Sequence, residues 1–200
     1  MAGEVNSHLP FSILNRSLLN MAIKTTASLK SKLSRVKLFL CDVDGVMTDG
    51  SVFIGGDREI KRFHIRDGLG LIFLRRAGLK VGWVSARPSA VTEMRAAELK
   101  IDFLVQQGDR AGKTAAVEKL LRRAKLDWDA VCFVGDDVVD LGPLRRAGLA
   151  VAVGDARPEV KAAADYVTQA TGGHGAIREI AEMILQAQGK WDSIVAHYTE

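Results

Sequence analysis

A doubly wound α/β domain on a mostly parallel sheet is predicted by two observations: short apolar runs alternate with helical patterns, and the polar residues with chemistry stand directly after the runs. Val36 to Cys41, Lys80 to Val84, Phe103 to Val105, Val131 to Val134 and Leu149 to Val153 are nearly continuous apolar segments. That pattern belongs to parallel strands buried on both faces. Helices are expected between them at 67–77, 88–99, 112–124, 138–147 and 157–163, and a last one at 175–188 opens after Gly172 and Gly173. Ser51 to Phe63 breaks the alternation: Val52, Phe53 and Ile54, then Gly55-Gly56-Asp57, then Glu59 to Phe63 read as a β-hairpin with a glycine turn. The chain has no repeat, low-complexity tract or internal linker, and its 200 residues suit one domain.

Composition excludes several classes. At 48% hydrophobic and 26% charged, the chain is neither collagen-like nor disordered. No apolar stretch reaches the roughly 18–20 residues that span a bilayer. Cys41 and Cys132 sit in apolar runs and read as buried thiols in a reducing cytoplasm, not as a disulfide framework. The net charge of +4 is carried by the leader: residues 1–38 hold six Lys/Arg and one acidic residue, leaving 22 basic against 23 acidic beyond. A nucleic-acid-binding body is not expected, nor a membrane partner. The leader itself reads as a basic extension over 1–34 that ends in a helix over the first strand; an organelle transit peptide is the alternative. Residues 35–190 form the expected domain and 191–200 a tail.

In an open parallel sheet, ligands bind outside the carboxyl ends of the strands. Strand one is followed by Asp42-Val43-Asp44-Gly45, the second long run by Ser85-Ala86-Arg87, and the run at 131–134 by Gly135-Asp136-Asp137 with Asp140 beyond; Lys113 opens the helix after Phe103 to Val105. Carboxylates converging on one rim raise one another's pKa, and a hard cation such as Mg²⁺ resolves the conflict. Ser85 and Lys113 add a hydroxyl and a positive charge for phosphate oxygens. Singly, each has a plainer role: an Asp or Ser caps a helix or closes a turn, and a Lys is a solvated charge. Their common position at strand ends favours the site. Gly108 to Thr114 (GDRAGKT) mimics a P-loop, but that loop needs four residues between its glycines and here there are three.

These residues resemble the four motifs of the haloacid dehalogenase superfamily. More narrowly, DVDGVMTDG (Asp42 to Gly50), FHIRDGLG (Phe63 to Gly70), the Gln107-Gly108 pair, GGHGAIRE (Gly172 to Glu179) and ILQAQGK (Ile184 to Lys190) resemble the 3-deoxy-D-manno-octulosonate 8-phosphate phosphatase family. Ala86 departs from it, since the family usually has Gly there. The resemblance implies a haloacid dehalogenase-like Rossmannoid fold with a β-hairpin flap and no cap domain. It implies Asp42 as nucleophile, Asp44 as acid and base, and Ser85 and Lys113 as phosphate-holding residues. Mg²⁺ would take Asp42, the Asp44 backbone carbonyl and Asp136, with Asp137 or Asp140 in support.

Spacing adds to this. Only 41 positions separate Asp44 from Ser85, 28 separate Ser85 from Lys113 and 23 separate Lys113 from Asp136, so no gap holds a cap domain. An open site needs a cover, and the resemblance implies a homotetramer with neighbours closing each site. A sugar-acid phosphate also carries a carboxylate, for which Arg66, Arg87 and Arg178 are the candidates, with a surface ion pair for Arg66 and a helix start for Arg178 as plainer roles. His64 and His174 read as loop hydrogen-bonders, because no second ligand stands at metal spacing. The expected activity is lipopolysaccharide-directed hydrolysis of the eight-carbon 8-phosphate. The alternatives are a nine-carbon 9-phosphate, or a non-catalytic oligomerisation domain related to those of sugar-activating transferases; the intact carboxylate set weighs against the last.

Overall fold

The computed structural model describes residues 27–56, 58–106 and 112–199. The leader up to residue 26 and the Gln107-Gly108 pair lie outside them, as does most of the P-loop-like stretch. Within the described residues, six parallel strands form one sheet: β1 (Leu38–Cys41), β4 (Lys80–Ser85), β5 (Phe103–Gln106), β6 (Val131–Gly135), β7 (Leu149–Ala152) and β8 (Tyr166–Val167), in the order β5-β4-β1-β6-β7-β8. The five expected strands are all present. β8 is the addition, too short to stand out in sequence. β2 (Phe53–Gly55) and β3 (Arg58–Ile60) pair antiparallel as a separate two-stranded ribbon, the expected hairpin.

The helices are α1 (27–35), α2 (Ile65–Arg76), α3 (Ala90–Glu98), α4 (Lys113–Ala124), α5 (Leu141–Leu144), α6 (Pro158–Ala163), α7 (Ala176–Ala187) and α8 (Trp191–Ala196). Ala176, Ile177, Ile180, Ala181, Ile184 and Leu185 form the buried stripe of α7, at the three-and-four spacing that aligns side chains on one helix face. That stripe packs on α2, where Gly70 allows a close approach: a Cβ there would lie 3.2 Å from Arg178 Cα. The expected helix 138–147 is instead a 3-10 turn, Val138–Asp140, followed by the short α5. Gly142 and Pro143 lie inside it, and both disfavour a long helix. Leu33 of α1 is buried and Leu29 packs against the same core, so the chain enters the fold before β1. Residues 191–196, expected in the tail, form α8, whose Trp191 meets Phe73 edge-on at 5.9 Å.

β1 and β6 are neighbours, although the chain visits β4 and β5 between them. From β1 it moves outward one way, then returns to β6 and continues the other way. The carboxyl ends of β1 and β6 therefore flank the crevice at the topological switch point, where such sheets bind ligands.

Candidate active site

Register brings the expected residues together. Cys41 pairs with Val134 and Trp83, so Asp42 emerges beside the ends of β6 and β4. Its N–H donates to Val134 O at 3.0 Å, and its Oδ1 accepts from Val43 N at 2.7 Å. The side chain is thus aimed by backbone bonds at its own position.

Lys113, at the first position of α4, is only 4% exposed. Its Nζ lies 2.9 Å from Asp42 Oδ2 and 2.7 Å from Asp140 Oδ1. Burial alone would lower its pKa; Asp140 and Asp42 outweigh that and hold it above the usual lysine value. Asp140 is fully buried, and its second oxygen accepts from Asp136 N at 3.1 Å. Oxygens of Asp42, Asp136 and Asp140 all lie within 4.8 Å of one another. Burial, then the Asp140 charge, pushes the Asp42 carboxyl up, against the pull of Lys113. Burial, then Asp140 and Asp42, pushes Asp136 up to about 8.

One ammonium cannot balance three ionised carboxylates, and Asp136 Oδ1 is buried without a hydrogen-bond partner among the described residues. An orphaned carboxylate oxygen in an all-oxygen cluster fits a hard divalent cation. Asp140 shares this cluster, whereas Asp137 is exposed and caps the 3-10 turn through Val138 N at 2.6 Å. Gly45, at φ +94°, lies under Asp136: a Cβ there would come within 2.1 Å of its Oδ2. Only glycine suits both that backbone and that approach.

Ser85 closes β4 and is buried; its Oγ accepts from Arg87 N and faces Arg87 O, each at 3.1 Å. It does not cap α3. Ser89 does, accepting from Thr92 N at 3.2 Å. The loop after Asp44 is pinned by Thr48, whose Oγ1 accepts from Gly45 N at 3.3 Å and Gly50 N at 3.2 Å. Against it lies the glycine loop before α7, so tight that a Cβ on Gly172 would meet Gly45 O at 1.8 Å. Asp67, fully buried in α2, fixes this second loop by accepting from Gly175 N at 3.0 Å and Arg178 N at 2.8 Å. Burial pushes its carboxyl up.

The three arginines stand differently. Arg66 is exposed in the first turn of α2 and has no ion pair among the described residues. Arg87 grips Glu59 with both terminal nitrogens, at 3.0 and 2.6 Å, so the strand-four loop is tied to the hairpin. Arg178 pairs with Glu182, and its guanidinium lies over Phe73 at 4.8 Å and Trp191 at 5.4 Å. His174 is a loop hydrogen-bonder, with Nδ1 2.8 Å from Gly172 O and Nε2 2.7 Å from Arg62 Nη2. His64 Nδ1 is 3.6 Å from Asp67 Oδ2. Sequence reasoning missed Lys61, whose side chain is fully buried with its ammonium 2.6 Å from Asp44 Oδ1. No motif marks it: a lysine on a hairpin's return strand reads as solvated.

Among known proteins, residues 107–180 match the model of the haloacid dehalogenase-like hydrolases. The 3-deoxy-D-manno-octulosonate 8-phosphate phosphatase KdsC of Escherichia coli (strain K12) is 37% identical over 168 residues, 84% of this chain and 88% of the relative. The KdsC of Yersinia pestis is 38% identical over 158 residues, 78% of this chain and 83% of that one. The phosphatase of the same name from Moraxella catarrhalis, solved with magnesium ion, phosphate ion and a KDO molecule, superposes with a TM-score of 0.82 at 35% identity, covering 85% of this chain and 97% of its own. The cobalt-bound enzyme of Haemophilus influenzae gives 0.80 at 38% identity, covering 84% and 99%. With likeness over nearly the whole length of these relatives, and the carboxylate rim in place, the chain belongs to the 3-deoxy-D-manno-octulosonate 8-phosphate phosphatase family of haloacid dehalogenase-like hydrolases.

Proposed function

We propose that this protein is a Mg²⁺-dependent phosphatase that hydrolyses 3-deoxy-D-manno-octulosonate 8-phosphate to the free sugar acid and phosphate, in the cytoplasm. The observation that carries the reading is the meeting of buried Asp42 and Asp140, both paired with Lys113, with half-buried Asp136 at the switch point of the sheet. In this scheme a carboxylate oxygen of Asp42 attacks phosphorus in line and the phosphorus–sugar oxygen bond breaks, leaving an aspartyl-phosphate. Asp44 gives its proton to the departing oxygen. It then takes a proton from a water that attacks the same phosphorus, which frees phosphate and restores the Asp42 carboxylate. Ser85 and Lys113 hold the phosphoryl oxygens, the preorganised charge that usually contributes most to such a reaction. Asp42, Asp136 and Asp140, with the Asp44 carbonyl, would hold the cation, and Asp137 stands behind them as a cap. When bound, Mg²⁺ would neutralise phosphoryl charge that otherwise repels the nucleophile.

Arg66, exposed and without an acidic partner among the described residues, is the arginine assigned to the sugar carboxylate. Arg87 and Arg178 are already engaged by Glu59 and Glu182 and serve the framework. The exposed hairpin residues Phe53, Ile54 and Ile60 support a homotetramer in which neighbours cover the open sites. A phosphate-release panel over eight- and nine-carbon sugar-acid phosphates, with and without Mg²⁺, tests the reading. Preference for the eight-carbon ester, only with metal, is expected. Preference for the nine-carbon ester would change the substrate, and no release from any ester would overturn the activity.

A further inference from the structure

Lys61 has no exposed side-chain surface, and the scheme above does not use it. It follows β3, on the return arm of the hairpin. A buried ammonium persists only when its partners are close, and here they come from three separate segments. Its Nζ is 2.6 Å from Asp44 Oδ1 on the nucleophile loop, and 3.5 Å from Glu59 Oε1 on β3. It also donates to Thr92 Oγ1, 3.1 Å away on the first turn of α3.

Those partners are themselves fixed. Ser89 caps Thr92 N and donates its own hydroxyl to Glu59 Oε1 at 2.7 Å. Arg87 holds Glu59 by two bonds, chiefly through which the Glu59 carboxyl falls to about 2. Asp44 is held far less. Its Oδ1 is buried with no aligned hydrogen bond among the described residues, so the ion contact with Lys61 is what restrains it. The side chain as a whole remains 24% exposed.

We propose that Lys61 is the positioning residue of Asp44: anchored by Thr92 and Glu59, it grips Oδ1 and leaves Oδ2 to pass the proton. Complete burial keeps Lys61 off the substrate, so it acts through Asp44 alone. Glu59 and Lys61 belong to the hairpin arm, while Ser89, Arg87 and Thr92 follow β4. Docking of the hairpin on the strand-four loop is thereby a condition for aiming the acid. The inference rests on Asp44 being the proton carrier of the proposed phosphatase.

The test uses leaving groups. An alkyl oxygen departs poorly without a proton, whereas p-nitrophenolate departs without help. The full chain, with Mg²⁺, is compared with Lys61→Met and Thr92→Val on the eight-carbon sugar-acid phosphate and on p-nitrophenyl phosphate. Lys61→Met should lower kcat on the sugar phosphate by about a hundredfold with KM within about twofold, the scale of a misaimed catalytic group. First-turnover release of p-nitrophenol should change by less than about threefold. Thr92→Val, which removes only the hydroxyl anchor, should repeat the pattern more weakly and serves if circular dichroism finds Lys61→Met unfolded. Equal loss on both esters, or a raised KM with kcat intact, would overturn the inference while the phosphatase reading stands. If the wild type turns over the aryl ester too slowly to measure, the split between kcat and KM decides alone. A wild type inert toward both esters would overturn the phosphatase reading and this inference with it.

Discussion

The two ends of the sheet carry charge in opposite ways. At the carboxyl end, Asp42, Lys113, Asp140 and Lys61 are buried, and their charges face one another. At the amino end a cavity of about 930 Å³ is lined by Arg35, Lys37, Lys80, Arg123 and Lys190 with Asp129, nearly all of them exposed. There the polar groups finish the framework: Lys190 donates to Ala77 O at 2.9 Å, and Lys80 meets Asp102 Oδ1, also at 2.9 Å. Exposed pairs contribute little, because water and salt screen them. Buried like charges are costly unless something bound there offsets them. The amino-end cavity is thus the poorer candidate, and the crowded rim is the better one.

The largest effect should come from the rim. Asp42→Asn should lower phosphate release by on the order of a thousandfold or more, with the fold retained, because an amide cannot attack phosphorus. Arg123→Ala at the opposite cavity should leave it within about twofold, the expectation for a surface change away from any special feature. Parallel phosphate-release assays with circular dichroism check both. Similar losses from the two variants would break the contrast between the ends.

Metal and pH sharpen the contrast next. Asp136 moves from its ordinary 3.8 to about 8 in the metal-free fold, first through burial and then through Asp140 and Asp42. Between those values the folded chain holds a proton that the unfolded chain has lost. The metal-free protein should therefore lose stability as pH rises across that window. Below 3.8 both states are protonated and that contribution is fully present. A cation replaces the proton, so Mg²⁺ should bind more tightly toward pH 8. Thermal melts at pH 6 and pH 8, with EDTA or Mg²⁺, should give the larger Mg²⁺ shift at pH 8. Equal shifts at both would show that Asp136 is already ionised without metal.

How far the site was legible follows from what each residue touches. Asp42, Lys113 and Asp140 were readable because their positions follow from where strands end, a local property of the pattern. Lys61 and Glu59 were not, because their burial depends on Asp44, Arg87 and Thr92 arriving from other elements. The surroundings of Arg178 were hidden for the same reason: its aromatic bed includes Trp191, in a segment that looked like a tail. In the fold, the continuous apolar strands were plain, but β8 has only two residues and borrows its register from β7.

Smaller than the rim effects should be those at the hairpin. Phe53 and Ile54 are 63% and 75% exposed on a ribbon that is marginal alone in water. Replacing both with lysine should dissociate the proposed tetramer and lower activity severalfold, with the carboxylates untouched. Light scattering coupled to gel filtration, beside the phosphate-release assay, reads both quantities. A wild type that is monomeric and fully active would remove the neighbour from the site. So would a dissociated variant of unchanged activity.

The smallest effect belongs to the amino end, where framework and chemistry should separate cleanly. Gln188, half-buried just after α7, donates through Nε2 to Val36 O at 2.9 Å and to Leu33 O at 3.4 Å. It ties the end of α7 to the entry of β1, on the side of the sheet away from Asp42. Gln188→Ala removes one good bond and one weak bond, and leaves carbonyls that water can reach from the neighbouring cavity. A net loss of about 1 kcal/mol is expected for such a hydrogen bond. For a chain of this size that corresponds to a fall in Tm of about 2–4 °C. Because β1 keeps its ladders to β4 and β6 along its whole length, Asp42 should not move and kcat should stay at the wild-type value well below Tm. Melting curves and initial rates at 25 °C test this together. A variant that is slower while fully folded would mean that strain at the amino end of β1 reaches its carboxyl end, and the two ends would have to be treated as one unit.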